Sequence, residues 1–230
     1  LSILKAIELD PDHSKAFFAL STFKLTNIKK KLRDKLCSEN FLNNKSKKDK
    51  VDIYFAKANI FHKESNFKES SKYLQLANNL KQKLNPSNME YLLKKSKNLI
   101  LESNKELKVR SENTQFTKSI FIVGMPRSGS TLLESILSMN TEVDDLGECD
   151  FLEKSYFDCK KSKQVLTIAE RYWKKIKDHK KQSHSTTNKN LYNYQYAGII
   201  AKKIPNSKII HCYRNPLDNI LSIYRAHFKG

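Results

Sequence analysis

The run Ile120-Phe-Ile-Val-Gly-Met-Pro-Arg-Ser-Gly-Ser-Thr-Leu-Leu133 constrains this chain more than any other segment. Its first four residues, Ile120 to Val123, are apolar and mostly β-branched or aromatic, and they predict a short buried strand. A glycine-containing turn follows, and Thr131 to Leu137 then runs at helical spacing. A strand that feeds a helix through such a turn aims several free backbone N–H groups at one place, with the positive end of the helix dipole behind them. That corner binds phosphate.

Gly124 and Gly129 have the spacing of a Walker A loop, but Ser130 and Thr131 stand where that loop needs Lys followed by Ser or Thr. The cation comes earlier instead, at Arg127. A second segment has a related form. Lys208 to Tyr213 reads as another buried strand, with His211 as a hydrogen-bonded core residue in it, and Arg214-Asn-Pro-Leu-Asp-Asn-Ile-Leu-Ser222 follows. Pro216 suits the first turn of a helix and Asn215 suits its N-cap. Ser222 lies about two helical turns beyond Arg214, so the guanidinium and the hydroxyl can face a common anion.

Pro126-Arg-Ser-Gly-Ser-Thr131 resembles the 5′-phosphosulfate loop of sulfotransferases that use 3′-phosphoadenosine 5′-phosphosulfate (PAPS). The Arg214 to Ser222 arrangement resembles the 3′-phosphate site of the same family. Gly147-Glu148, within Val143 to Cys149, resembles the Gly-Glu of the tyrosylprotein sulfotransferase branch, where the Glu is the general base. Asp144 and Asp145 are nearby alternatives, and His184 is the runner-up because other branches use a His base. Ser185 to Asn190 is similar to the family's short strand with a Lys that contacts the transferring group, which makes Lys189 that candidate.

The resemblance implies a donor site made of Arg127, Ser128, Gly129, Ser130, Thr131 and Leu132 at the 5′ end of PAPS. Arg214 and Ser222 would hold the 3′-phosphate. Glu148, Arg127 and Lys189 would be the catalytic groups, acting on a hydroxyl or phenol acceptor with 3′-phosphoadenosine 5′-phosphate (PAP) as product. No metal is implied. Two other readings stay open on the residues alone: a non-catalytic helical-repeat interaction protein with a vestigial nucleotide site, and a P-loop kinase or NTPase.

From Leu1 to about Asn104 the chain is nearly all helix former, broken by Pro11 and Pro86. Ala6 followed by Pro11 resembles the end of a tetratricopeptide repeat. Tyr54-Phe-Ala-Lys-Ala58, Phe61, Ser70, Leu74 and Ala77 resemble a further one, with residues 14–43 as a degenerate repeat between. A polar, aperiodic stretch at 105–118 is the expected linker. After it strands alternate with helices, which predicts a parallel α/β sheet. The expected fold class is thus α plus α/β, with helical repeats at 1–104 and a P-loop-like sulfotransferase domain at 119–230. Repeats followed by such a domain are similar to a bacterial family of tetratricopeptide–sulfotransferase proteins, whose members continue well past the position of Gly230. The domain is accordingly expected to be its N-terminal portion. A protein or peptide partner on the repeats is a further expectation.

A formal net charge of +19 comes from 43 basic residues, and only six of them are arginine. Runs such as Lys29 to Lys31 and Lys160 to Lys163 lack the interleaved aromatic and arginine pattern of a nucleic-acid groove. The charge favours a highly anionic donor and salt-sensitive attraction to acidic surfaces, without specific nucleic-acid binding. Cys37, Cys149, Cys159 and Cys212 form no C-x-x-C pair, which argues against zinc and fits a reducing, cytoplasmic compartment. No run of 18 apolar residues occurs, so no membrane span is expected.

Overall fold

Every regular element described between residues 2 and 105 is helical, and strands begin at Lys118. The computed structural model describes residues 2–23, 30–105, 118–161, 166–179 and 184–228. Its contacts divide the chain into two units, Leu1–Asn88 with Leu221–Gly230, and Met89–Ile220.

The first unit holds α1 (Ser2–Leu9), α2 (Ser14–Thr22), α3 (Lys30–Cys37), a short 3-10 turn (Glu39–Leu42), α4 (Lys47–Lys63) and α5 (Phe67–Leu84). Ser46 caps α4 by accepting the Asp49 N–H, and Asn66 caps α5 by accepting the Glu69 N–H. Between α4 and α5, Ser65 turns the chain at φ +59°. Val51, Phe55 and Ala58 of α4 pack against Leu74 and Ala77 of α5. Small side chains let the seam close, and the Ser70 hydroxyl donates to the Ala58 carbonyl at 2.9 Å. A second cluster joins Ile7, Phe17, Leu20, Leu36, Phe41, Ile53 and Ile60. The last described residues belong here as well: the His227 ring stacks on Phe55 at 4.6 Å and bonds Asp52 at 2.6 Å.

The second unit begins with α6 (Met89–Lys105). It continues through β1 (Lys118–Gly124), α7 (Ser130–Leu137), β2 (Val143–Asp145), α8 (Phe151–Lys161), α9 (Ile168–Asp178) and β3 (Ser185–Asn188). A 3-10 helix (Leu191–Tyr196), α10 (Ala197–Lys203), β4 (Ser207–Cys212) and the first part of α11 (Pro216–Tyr224), up to Ile220, follow. The four strands form one parallel sheet in the order β2-β3-β1-β4. This is a mixed fold of helices and a parallel sheet, as the alternating pattern predicts. Phe121, Leu152, Tyr172, Trp173, Tyr196 and Ile200 form its core.

Composition groups α6 with the helical half, but its packing groups it with the sheet. Leu99 enters the core beside Trp173 and Ile200. Glu102 takes hydrogen bonds from Tyr156 and Lys160, and Lys202 donates to the Ser103 carbonyl. A Cβ on Gly198 would come within 2.6 Å of the Ser103 hydroxyl, so α6 and α10 approach closely where that glycine sits. The expected linker at 105–118 lies outside the described residues except at its ends.

Strand β4 corrects one expectation. It is the edge of the four-stranded sheet, and its residues are exposed or half-buried rather than core. His211 is exposed, not a core histidine. A run of apolar residues fits a buried strand and a half-covered edge equally well. Among the described residues, no helix is long and apolar enough to cross a membrane.

Candidate functional site

A parallel sheet puts the C-terminal ends of all its strands at one edge, and ligands of open α/β sheets bind there. Gly124 pairs with Cys212, Asp145 with Thr187 and Phe121 with Asn188, so the chain leaves all four strands along that edge. The segments that follow carry the loop 125–129, Glu148, Lys189 and Arg214.

The loop after β1 depends on unusual backbone conformations. Gly124 has φ +146°, and a Cβ there would lie 2.5 Å from the Cys212 carbonyl oxygen. Arg127 has φ +69°, which a non-glycine residue adopts at a cost and which clusters at functional sites. Gly129 has φ +95° and open space around it, with nothing within 4 Å of its would-be Cβ. The Ser128 N–H closes a turn on the Met125 carbonyl at 3.3 Å, and the Leu133 N–H opens α7 on the Gly129 carbonyl at 3.0 Å. The Ser128 hydroxyl is buried and has no hydrogen-bond partner. A buried orphan hydroxyl, an open glycine and the first N–H groups of α7 fit an anion such as phosphate. Ser130 is buried, whereas Arg127, Thr131 and Leu132 are exposed.

Two side chains, one just past β3 and one from the segment after β2, meet. The Lys189 ammonium lies 2.7 Å from Glu148 Oε1. Lys189 is 7% exposed and Glu148 70% exposed, so a buried cation holds a solvent-facing carboxylate. The backbone fixes both: the Leu146 N–H donates to Thr187 at 2.9 Å and the Lys189 N–H to Gly147 at 2.8 Å. Beside them, burial pushes the Cys149 thiol up to about 11. That thiol stays protonated at neutral pH and is no nucleophile there.

Arg214 follows β4 and is exposed, and its Nη1 donates to the Arg127 carbonyl at 3.3 Å. Asn215 caps α11 by accepting the Leu217 and Asp218 N–H groups at 3.0 and 3.3 Å. Asn219, on the same helix and 3% exposed, donates to the Pro126 carbonyl at 2.7 Å. That bond ties α11 to the loop and is not legible from the sequence. Ser222 is half-buried on α11, at the part of the helix that groups with the first unit.

The alternatives for the base separate by position. Asp144 and Asp145 lie within β2, whereas Glu148 lies beyond its end. His184 precedes β3 and faces Glu142 at 3.5 Å. At about 3.3 Å per strand residue it is roughly 15 Å from Lys189, at the opposite edge of the sheet. Sequence reasoning also passed over Glu134. This carboxyl is 6% exposed on α7 and accepts the Thr187 hydroxyl at 3.0 Å. The readable signal was an acidic residue on the same helix face as Ser130, one turn away, among apolar neighbours. Among the described residues, no group of three or more His, Cys, Asp or Glu side chains could hold a metal ion.

A protein of Aquifex aeolicus (strain VF5), itself described as uncharacterized, is 29% identical over 133 residues. The alignment covers 49% of this chain and 18% of that protein, so the chain spans less than a fifth of its length. No solved structure matches the chain significantly. Residues 117–229 match the family model described as the sulfotransferase domain, and this match supports a sulfotransferase family and a transferase class for that half of the chain.

Proposed function

We propose that the sheet-bearing half binds PAPS and transfers its sulfuryl group to a hydroxyl or phenol acceptor. One observation carries the proposal: the C-terminal edge of a parallel sheet presents an anion-fitting loop with Arg127, a Glu148–Lys189 pair and Arg214. The N–H groups of Gly129 to Leu132 and the Ser128 hydroxyl receive the 5′-phosphosulfate. Arg214 receives the 3′-phosphate, with Ser222 as second donor on the strength of its sequence spacing.

The acceptor oxygen attacks sulfur in line with the bond to the 5′-phosphate. Its proton passes to the Glu148 carboxylate, the new O–S bond forms and the S–O bond to phosphate breaks. PAP leaves with the bonding electron pair. Arg127 and Lys189 offset the negative charge on the sulfuryl oxygens and the departing phosphate. Lys189 has a second task, since its contact with Glu148 aims the base before donor and acceptor arrive.

Glu148→Gln should lower the rate of PAP release from PAPS by about 100-fold or more while PAP affinity holds, as expected for loss of a general base. Arg214→Ala should weaken PAP binding by about 2–3 kcal/mol, as for loss of a charge-assisted bond to phosphate. Unchanged turnover in the first variant removes Glu148 as base. Unchanged PAP binding in the second removes the 3′-phosphate assignment.

The helical unit is proposed to be tetratricopeptide-like and to offer a surface to a protein or peptide partner. Support comes from the α4–α5 hairpin, where Ala58, Ser70, Leu74 and Ala77 line the seam.

A further inference from the structure

Glu134 is a buried carboxyl of α7 that bonds β3 just ahead of Lys189. Ser130 and Glu134, one helical turn apart, are the buried residues of α7. Glu134 Oε1 accepts the Thr187 hydroxyl at 3.0 Å, and the Thr187 carbonyl in turn accepts the Leu146 N–H at 2.9 Å. Thr187 lies two residues before Lys189, and Leu146 two residues before Glu148. Each is therefore one residue removed from one member of the ion pair.

The chemistry of the donor suits a carboxylate. The Thr187 hydroxyl aims its hydrogen at the side chain, and an ionised carboxylate offers acceptors alone, in either orientation. A glutamine could accept that bond through its carbonyl oxygen alone. Burial pushes the Glu134 carboxyl up, while the Thr187 bond, the Lys189 charge and the Gly147 N–H oppose that rise. The other titratable groups that act on it or feel it are Asp145 and Cys149. Burial of so costly a group, bonded to the strand that leads to Lys189, asks for a reason beyond filling space.

We propose that Glu134 is a positioning residue: it clamps Thr187, and through the Thr187 carbonyl also Leu146, to the phosphate-loop helix and so fixes where Glu148 and Lys189 stand relative to the donor loop. The catalytic consequence rests on the sulfuryl-transfer reading above, whereas the clamp itself does not. The test therefore has two arms.

In the first, ligand-free protein is labelled with trace acetic anhydride, and each lysine's reactivity is read by mass spectrometry. Glu134→Gln should raise the reactivity of Lys189 about fivefold or more, as its segment opens locally, with the lysines of the helical unit unchanged. Thr187→Val, which removes one donor and leaves the carboxyl, should raise it in the same sense, and Thr187→Ser should restore the parent value. Equal Lys189 reactivity in the parent and in Thr187→Val overturns the clamp, even if Glu134→Gln labels everywhere because it has unfolded.

In the second arm, PAP release from PAPS is measured with water as acceptor. Glu134→Gln should lower kcat about 10- to 100-fold with PAP affinity within about threefold, as expected for misplacement of reacting groups. In a Glu148→Gln, Lys189→Met background the same substitution should cost less than about twofold, because it acts through that pair. Equal losses in both backgrounds mean a general structural role and overturn the positioning claim. If the parent binds no PAP, the sulfuryl-transfer reading fails, and the labelling arm still decides the clamp.

Discussion

At Gly124 and Gly129 the same substitution should have two different outcomes. Both residues sit at positive φ, so an added Cβ strains the backbone at each. At Gly124 the Cβ also meets the Cys212 carbonyl of the paired strand at 2.5 Å, whereas at Gly129 it meets nothing. Gly124→Ala should therefore destabilise the sheet unit by about 3 kcal/mol or more, by urea denaturation, and Gly129→Ala by about 1–2 kcal/mol. The sequence shows both glycines in a motif, but the register that pairs Gly124 with Cys212 is visible only in the fold. The same limit applies to Arg127. Its place in the motif is legible, and its left-handed backbone is not. Cys149 yields a second prediction at this scale. With its pKa pushed up to about 11 by burial, against 9.0 for an unperturbed thiol, it carries about 100-fold less thiolate at pH 8. Iodoacetamide at that pH should leave Cys149 unmodified in the folded protein and alkylate it in urea. Rapid alkylation of the native chain would contradict the burial.

At the level of elements, local signals are legible in the residues and pairings are not. The strand before Gly124, the helix from Ser130 and the Asn215-capped helix at Pro216 all follow from apolar runs, glycines and caps. The edge position of β4 and the grouping of α6 do not, because both depend on what the rest of the chain packs against them. The approach of Lys189 to Glu148, 41 residues apart in the chain, is likewise set by the parallel pairing of β2 with β3. Near the start of α4, the Ser14 and Ser46 hydroxyls both donate to Asp49 at 2.5 Å and hold its carboxyl below the usual value. A carboxyl so lowered contributes stability above its unfolded pKa, and that contribution is lost as pH falls through the folded value. Asp49→Asn should therefore destabilise the helical unit at pH 7, and the gap from the parent should close as acid protonates Asp49. A gap that persists below about pH 2 would show that packing, not charge, is at stake.

For the whole molecule, composition divides the chain near residue 104, while contacts divide it between Asn88 and Met89 and return Leu221 onward to the helical unit. Helix propensity reports how a segment folds, not what it folds against, so α6 could not be assigned from its residues. The lysine excess also acts at this scale, since 43 basic against 24 acidic residues will attract any polyanion weakly. A specific donor site must stand out above that background. Calorimetric titration with PAP and with ATP at physiological ionic strength separates the two effects, because salt screens diffuse attraction far more than it screens a fitted phosphate pocket. A site built from the Ser128 to Leu132 loop and Arg214 predicts saturable one-to-one binding of PAP, at least about tenfold tighter than ATP, one charged contact to the 3′-phosphate being worth that or more. Equal, weak and salt-sensitive binding of both nucleotides would contradict the proposed PAPS site.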